Sequence, residues 1–462
     1  MKFFAFLKPA AIPTEKVPDE KIKSSYTKHR ASVFISIYIA YAAYYIIRDN
    51  FTISSPYLMR YYHFDKATIG LILSCLAISY GISKFIMGSL ADKCNPKYYI
   101  ATGLICSSIL NFLFGTTGNE YIMIILIILM GIFQGMGAPA AHKTLAVWFS
   151  NKERGLYVSA WNTSHNVGGG IIPLLVTFAL AIFGLHHWKS IFFFPSVVSI
   201  ILAIIVILAG ADTPESVGLP PIEEFKRQDY VNENGDVKVV DAHNTIPLIN
   251  IIQECILKRP IIWILAISNA SVYVIRYGIE NWIPIYLHAT KGFTLIQARN
   301  CFSIYEFAAI PGTILIGLMS DKLFKGKRSG LAAVLVFLLA LTFMAYWVTD
   351  SSGLIFFEVG LMGILVYGPQ MLITVLTMDL VPKFAVGGTD GFVGLFGYVF
   401  GEVIASYIIG LLVDQLGWKA SFFTIIIAAI VSIICFIILF KAENHITESL
   451  DKIYQRFGMQ DN

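Results

Sequence analysis

Twelve times along this chain a predominantly apolar run exceeds the roughly 18 residues that carry a helix across about 30 Å of hydrocarbon. The runs fall at about 31–55, 67–90, 98–117, 121–148, 156–184, 189–210, 261–288, 294–319, 330–349, 354–380, 387–413 and 419–440. A soluble domain does not absorb so many: 56% of the 462 residues are hydrophobic and 14% charged, with a mean hydropathy of +0.69. Inside lipid every backbone N–H and C=O must be satisfied within the protein, and single runs of this length achieve that as helices. The sequence therefore predicts an all-α membrane protein with twelve transmembrane helices.

One long polar stretch interrupts the pattern, at 211–258, rich in Pro, Asn, Asp and Glu (ADTPESVGLPPIEEFKRQDYVNENGDVKVVDAHN). It predicts an N-terminal six-helix half over 1–210, a cytoplasmic linker over 211–258 and a C-terminal six-helix half over 259–462. Lysine and arginine set the orientation: roughly 24 fall on the side of the two termini and the even-numbered loops, against roughly 5 opposite. Both termini are expected in the cytoplasm. Residues 1–30 are polar and lysine-rich, so no cleavable signal peptide is expected. The net charge of +4 does not suggest nucleic-acid binding, and the six cysteines show no metal-ligand spacing.

Internal repetition organises the halves. Tyr44-Tyr45-Ile46-Ile47-Arg48 lies in the first apolar run, and Tyr273-Val274-Ile275-Arg276 lies 228 residues later (276 less 48). The loop motif Gly88-Ser-Leu-Ala-Asp92-Lys93 returns as Gly317-Leu-Met-Ser-Asp321-Lys322, an offset of 229 (321 less 92). Basic loops at Lys152 and Lys383 keep a similar phase. Matched features in matched topology predict two parallel six-helix repeats, the plan of the major facilitator fold, with substrate held at the midplane between them. The carboxylates of Asp92 and Asp321 read as cytoplasmic gate ties, beside the plainer reading of topology-setting basic loops.

Ionisable residues inside apolar runs are the functional candidates. The cations are Arg48, Lys84, Lys143 and Arg276, with His142 and His165 beside them. The carboxylates include Asp49, Glu280, Glu306, Glu358, Asp379, Asp390 and Glu402. An arginine at bilayer depth costs about 3 kcal/mol even by insertion scales, so two at equivalent points of two repeats point to a shared wet cavity. The structural alternative neutralises each with a carboxylate on a neighbouring helix. A guanidinium presents a planar fork that matches phosphate oxygens, so a pair can clamp one phosphoryl group. Tyr41, Tyr45, Tyr80 and Tyr273 would add hydroxyl donors without charge. His165 can match its protonation to that of phosphate or simply hydrogen-bond in the packing, and Lys84 can snorkel to the interface. No nucleotide-binding loop, hydrolase elbow or metalloprotease motif is present, so the sequence suggests neither an enzyme nor direct use of ATP. No cofactor or metal is expected.

At these residues the chain resembles the organophosphate:phosphate antiporter family of the major facilitator superfamily. The matching segments include YAAYYIIRDNF, SYGISKFIMGSLADKCNPK, GIFQGMGAPA, WNTSHNVGGGIIPLL, VIRYGIENW, AIPGTILIGLMSDKLFKGKR and GFVGLFGY, running nearly end to end. RYGIE and GFVGLFGYVFG look most like glycerol-3-phosphate members, while RDNFTISSPYL and VPKFAVG look as close to phosphoglycerate members. Asp49 and Asn281 stand where the glycerol-phosphate pattern has a lysine and an aspartate, although Glu306 matches a membrane glutamate of that pattern.

The resemblance implies import of glycerol 3-phosphate or a related three-carbon organophosphate in exchange for inorganic phosphate, by rocker-switch alternating access. The protein would be a monomer in the bacterial inner membrane. Arg48 and Arg276 match the phosphate-binding arginines and His165 the histidine beside them. Lys84, Tyr41, Tyr45, Tyr80, Tyr273 and Tyr398 match cavity-lining positions, and Asp390 a specificity aspartate of hexose-phosphate members. Asp92, Asp321 and Glu306 are the gating candidates. The alternatives are a hexose-6-phosphate antiporter and a transporter-like sugar-phosphate sensor.

Overall fold

The computed structural model describes residues 7–91, 94–226, 250, 252–322, 327–382 and 385–443. Among them the regular structure is helical throughout. Among the described residues eleven helical segments are both long and apolar enough to cross a membrane. A further helix, Leu295–Lys322, is 28 residues long and carries Arg299 and Glu306 along it. Each expected apolar run is thus occupied by helix. The chain is a multi-pass membrane protein.

Local chemistry fixes where the helices begin and end. The Asn95 carboxamide accepts from the Lys97 amide, with Pro96 opening the helix Pro96–Phe114. Asn119 accepts from the Tyr121 and Ile122 amides at the start of Glu120–Gln134. Gly184 and Gly417, at φ of 76° and 77°, close helices in a conformation that side chains disfavour. His63, at φ 57°, ends Asn50–Tyr62 in the same way without being glycine.

Several runs are broken within a single span. The first divides at Asp49 into Asp19–Arg48 and Asn50–Tyr62, and the seventh at Asn281 and Trp282 into Pro260–Glu280 and Ile283–Thr290. The fourth divides after Gln134, the fifth at Thr163, and the eleventh passes through π-helical turns at Gly397–Glu402 and Ile404–Ile408. Irregular backbone at membrane depth survives only where protein or a wet cavity surrounds it. Arg48, His165, Arg276 and Tyr398 each lie within a few residues of such a break.

Packing groups residues 1–51 and 82–240 in one unit, and 52–81 and 241–462 in the other. In the first, Tyr44 donates to the Ile100 carbonyl at 2.8 Å, and Gln134 donates to the Tyr44 carbonyl. A Cβ on Gly168 would collide with the Ala42 carbonyl, so Ser164–Phe183 crosses Asp19–Arg48 at backbone contact. Asn111 ties Asn50 to Phe192 and Ser196. Beyond the spans, the start of the linker folds back: Trp148 donates to the Asp212 carbonyl, Tyr26 to that of Pro220, and Phe225 stacks on Tyr26 at 3.9 Å. Burial pushes the Asp212 carboxyl above the usual carboxylate range, although it accepts from the Ala10 amide.

In the second unit, Gly363 brings Ser352–Leu380 onto the Tyr305 backbone, and Gly410 brings the eleventh span onto the Lys66 carbonyl. Asp379 pairs with Arg328 at 3.0 Å, and Glu358 accepts from Thr349, so two of the carboxylates expected within spans have structural partners. The helix Lys66–Ala91 starts under two carboxylates. Asp65 accepts from the Thr68 amide, and Asp414 accepts from the Ala67 amide while pairing with Lys66 at 2.9 Å. Hydrogen bonds from Thr68 hold the Asp65 carboxyl below its ordinary range. A depressed folded-state pKa contributes stability above the unfolded pKa and loses it as pH falls through the folded one. Asp65→Ala should therefore cost about 1 kcal/mol at neutral pH. Melting of the detergent-solubilised protein should show that difference shrinking once pH drops below about 3.9.

Candidate functional site

In the first unit the candidate residues gather at the break after Arg48. Arg48 ends its helix, 3% exposed, with its guanidinium 5.7 Å from the Tyr45 ring. Tyr45 faces the His165 ring at 5.2 Å and meets Tyr41 edge-on at 5.5 Å. Tyr41 packs on Trp161 at 4.4 Å, which in turn meets His142. Two turns of the first helix and the start of Ser164–Phe183 therefore place two tyrosines, a histidine and an arginine together. Lys84 is half-buried, and the Gly135 backbone lies directly against Ser83 and Lys84.

The second unit builds a more closed arrangement around Arg276, which is 1% exposed. Nε donates to Glu280 Oε2 at 3.1 Å, and Nη1 to Gln370 Oε1 at 2.9 Å. The guanidinium carbon lies 4.7 Å from the Tyr277 ring and 4.5 Å from the Tyr367 ring. Tyr367 donates to Glu306 at 2.7 Å, so the ring on one side of Arg276 is itself anchored by a buried carboxylate. A row of edge-to-face and tilted tyrosines leads away from the arginine: Tyr277 to Tyr273 at 5.5 Å, Tyr273 to Tyr398 at 5.2 Å, and Tyr398 to Tyr80 at 4.9 Å. Each ring offers a hydroxyl on an otherwise apolar wall.

The structure thus brings together Tyr41, Tyr45, Arg48 and His165 in one unit, and Tyr80, Tyr273, Arg276, Glu306 and Tyr398 in the other. Asp390 is half-buried on Val386–Phe396, and among the described residues no hydrogen bond or ion pair joins it to the tyrosine row. Asp92 lies outside the described residues, as does the side chain of Asp321. The anionic partner of Arg276 is Glu280, one turn along the same helix rather than on a neighbour. That i, i+4 spacing was available as a signal. Gln370 and Tyr367 carry no sequence signal of their own, being ordinary residues beside Pro369 in an apolar run.

Residues 37–401 match the family description Major Facilitator Superfamily. The chain belongs to that superfamily. It is 40% identical to the glycerol-3-phosphate transporter of Bacillus subtilis, over 91% of this chain and 94% of that protein. The phosphoglycerate transporter protein of Salmonella typhimurium is 39% identical over 88% of each. The membrane sensor protein UhpC of Escherichia coli is 30% identical over 92% of this chain and 96% of its own. Among solved structures, a bacterial homolog of the human lysosomal transporter Spinster superposes with TM-score 0.72, at 15% identity, over 91% of this chain and 98% of that one. The twelve-helix major facilitator fold and a transporter rather than an enzyme follow for this superfamily member.

Tyr367→Phe should leave Glu306 without its 2.7 Å phenolic donor. It should destabilise the protein by about 1–3 kcal/mol, read as a lowered melting midpoint with helical content intact.

Proposed function

We propose that the protein is a secondary antiporter of the bacterial cytoplasmic membrane, importing a three-carbon organophosphate such as glycerol 3-phosphate in exchange for internal inorganic phosphate. Its two six-helix halves would alternate access, with both termini in the cytoplasm and a monomer as the working unit. The observation that carries this is the pair of buried arginines. Each lies beside a helix break and tyrosine rings, at matching positions of two sequence repeats. A permanently charged fork in such a place suits a phosphoryl group better than any neutral or cationic solute.

In this reading Arg48 and Arg276 share the phosphoryl oxygens, and His165 adds a ring N–H donor. Glu280 acts as a resident counter-anion: it holds Arg276 while no substrate is present and yields Nε when phosphate arrives. The exchange of one anion for another keeps the buried guanidinium neutralised throughout the cycle. Substrate lowers the barrier to interconversion by whatever extra affinity it has for the closed intermediate between the states, and an unliganded site, which lacks that gain, returns slowly, so exchange is coupled. A transporter-like sensor would bind the same ligands without rapid turnover. The higher identity to named transporters than to the sensor supports transport.

Phosphate-loaded vesicles containing the protein should accumulate labelled glycerol 3-phosphate or 3-phosphoglycerate in preference to glucose 6-phosphate. Arg48→Lys and Arg276→Lys should each abolish this counterflow, because an ammonium keeps the charge and loses the fork. Near-normal exchange in either variant would refute the clamp. Glu280→Gln should tighten equilibrium phosphate binding by about ten-fold, the worth of one charge-assisted hydrogen bond, and slow release.

A further inference from the structure

Among the described residues Arg299 is a third buried arginine, 3% exposed, in the second turn of Leu295–Lys322. Its Nη1 donates to the Tyr57 hydroxyl at 2.6 Å, and the guanidinium lies 5.8 Å from that ring. Nε is buried with no hydrogen-bond partner. Arg276, Arg30 and Arg328 each meet a carboxylate, from Glu280, Glu153 and Asp379. Among the described residues no carboxylate pairs with Arg299. A guanidinium cannot shed its proton, and a phenol is a poor substitute for a counter-anion in a dry setting. Such a group is retained where an anion visits it.

Its position relates it to Arg276. Glu306 lies seven residues on, about 10 Å along the same helical face. Glu306 accepts from Tyr367, whose ring lies 4.5 Å from the Arg276 guanidinium. Arg299 therefore begins a polar line through the second unit that ends at Arg276. At its end of the unit, 52–81 is fastened by exchangeable polar ties: Thr52 to Asn281, and Lys66 to Asp414. Asn281 also donates to Ser406.

We infer that Arg299 is a second phosphoryl-binding residue, receiving the substrate anion before it reaches Arg276, with Tyr57 holding the guanidinium until a phosphoryl oxygen takes the place of the phenol. This rests on the organophosphate reading above. Once the phenol leaves Nη1, the Nη1–Nη2 end of the guanidinium supplies the fork, and the ligand is the phosphoryl group itself rather than the remainder of the substrate.

The test is counterflow of labelled glycerol 3-phosphate into phosphate-loaded vesicles, with KM measured separately on each face. In the proposed orientation the Arg299 end faces outward. Arg299→Gln should raise the external KM about ten-fold, while the maximal rate and the KM for internal phosphate stay at wild-type values. Arg299→Lys should recover part of the external affinity, through charge without the fork. Tyr57→Phe, which removes only the competing acceptor, should leave the external KM at or below wild type. An unchanged external KM in Arg299→Gln overturns the inference. So does an equal rise on both faces, or a rise in Tyr57→Phe matching that of Arg299→Gln, either of which marks a purely structural tie. If Arg299→Gln fails to fold, an unchanged external KM in Arg299→Lys overturns it instead. A wild-type protein that exchanges no phosphoryl compound refutes the antiporter reading and this inference together, whereas normal wild-type exchange with an unaffected Arg299→Gln refutes this inference alone.

Discussion

A guanidinium buried among apolar helices cannot become neutral, so the surrounding chain must supply an anion, acceptors and polarisable faces. Arg276 receives all three, from Glu280, Gln370 and the rings of Tyr277 and Tyr367. The local architecture follows from that demand. Glu280 is the last residue of its helix, and at the break that follows, the side chains of Asn281 and Trp282 donate to the Ser406 hydroxyl and the Ala405 carbonyl. Arg48 occupies a comparable place, at the end of a helix that breaks at Asp49. Two repeats have arrived at the same device, in which a permanent charge stands next to an interruption of the helix.

This arrangement explains how a charged site can coexist with a membrane fold. The tyrosine row from Tyr277 to Tyr80 is amphipathic: its rings pack edge to face, and its hydroxyls offer donors that need no counter-charge. Helix contacts around it are made by glycines at 363, 401 and 410, whose missing side chains let backbones meet. Close backbone packing rather than bulk hydrophobicity holds such a bundle together in lipid. A resident carboxylate on Arg276 and a phenol on Arg299 are both replaceable acceptors. Their replacement by phosphoryl oxygens is the chemical step on which the proposed transport cycle depends.

Much of the fold was legible from hydropathy, because lipid permits so few ways of satisfying a backbone. All twelve runs are helical, and the matched arginines fall beside matched breaks. The breaks themselves were not legible: Asp49 and Asn281 stand out as departures from the glycerol-phosphate pattern but carry no mark of a helix interruption, and the π-helical turns at 397–408 have no compositional mark. Hydropathy shows which segments cross and is silent on which neighbours they choose, so the packing of 52–81 with later helices had no signal. The tyrosines at 273 and 398 were expected near Arg276, and the row they form joins them to it through Tyr277. Arg299 escaped notice for a physical reason. Near the end of an apolar run, an arginine is indistinguishable from one that snorkels to the interface, and only its burial against Tyr57 separates the two.

The proposed clamp requires one phosphoryl group to be held by both arginines. Its most direct test is the equilibrium dissociation constant for inorganic phosphate, measured by calorimetry on the purified protein, on Arg48→Gln, on Arg276→Gln and on the double variant. Each single replacement is expected to weaken binding about ten-fold or more, with the double variant losing less than the product of the two. A wild-type affinity in either single variant would contradict the account.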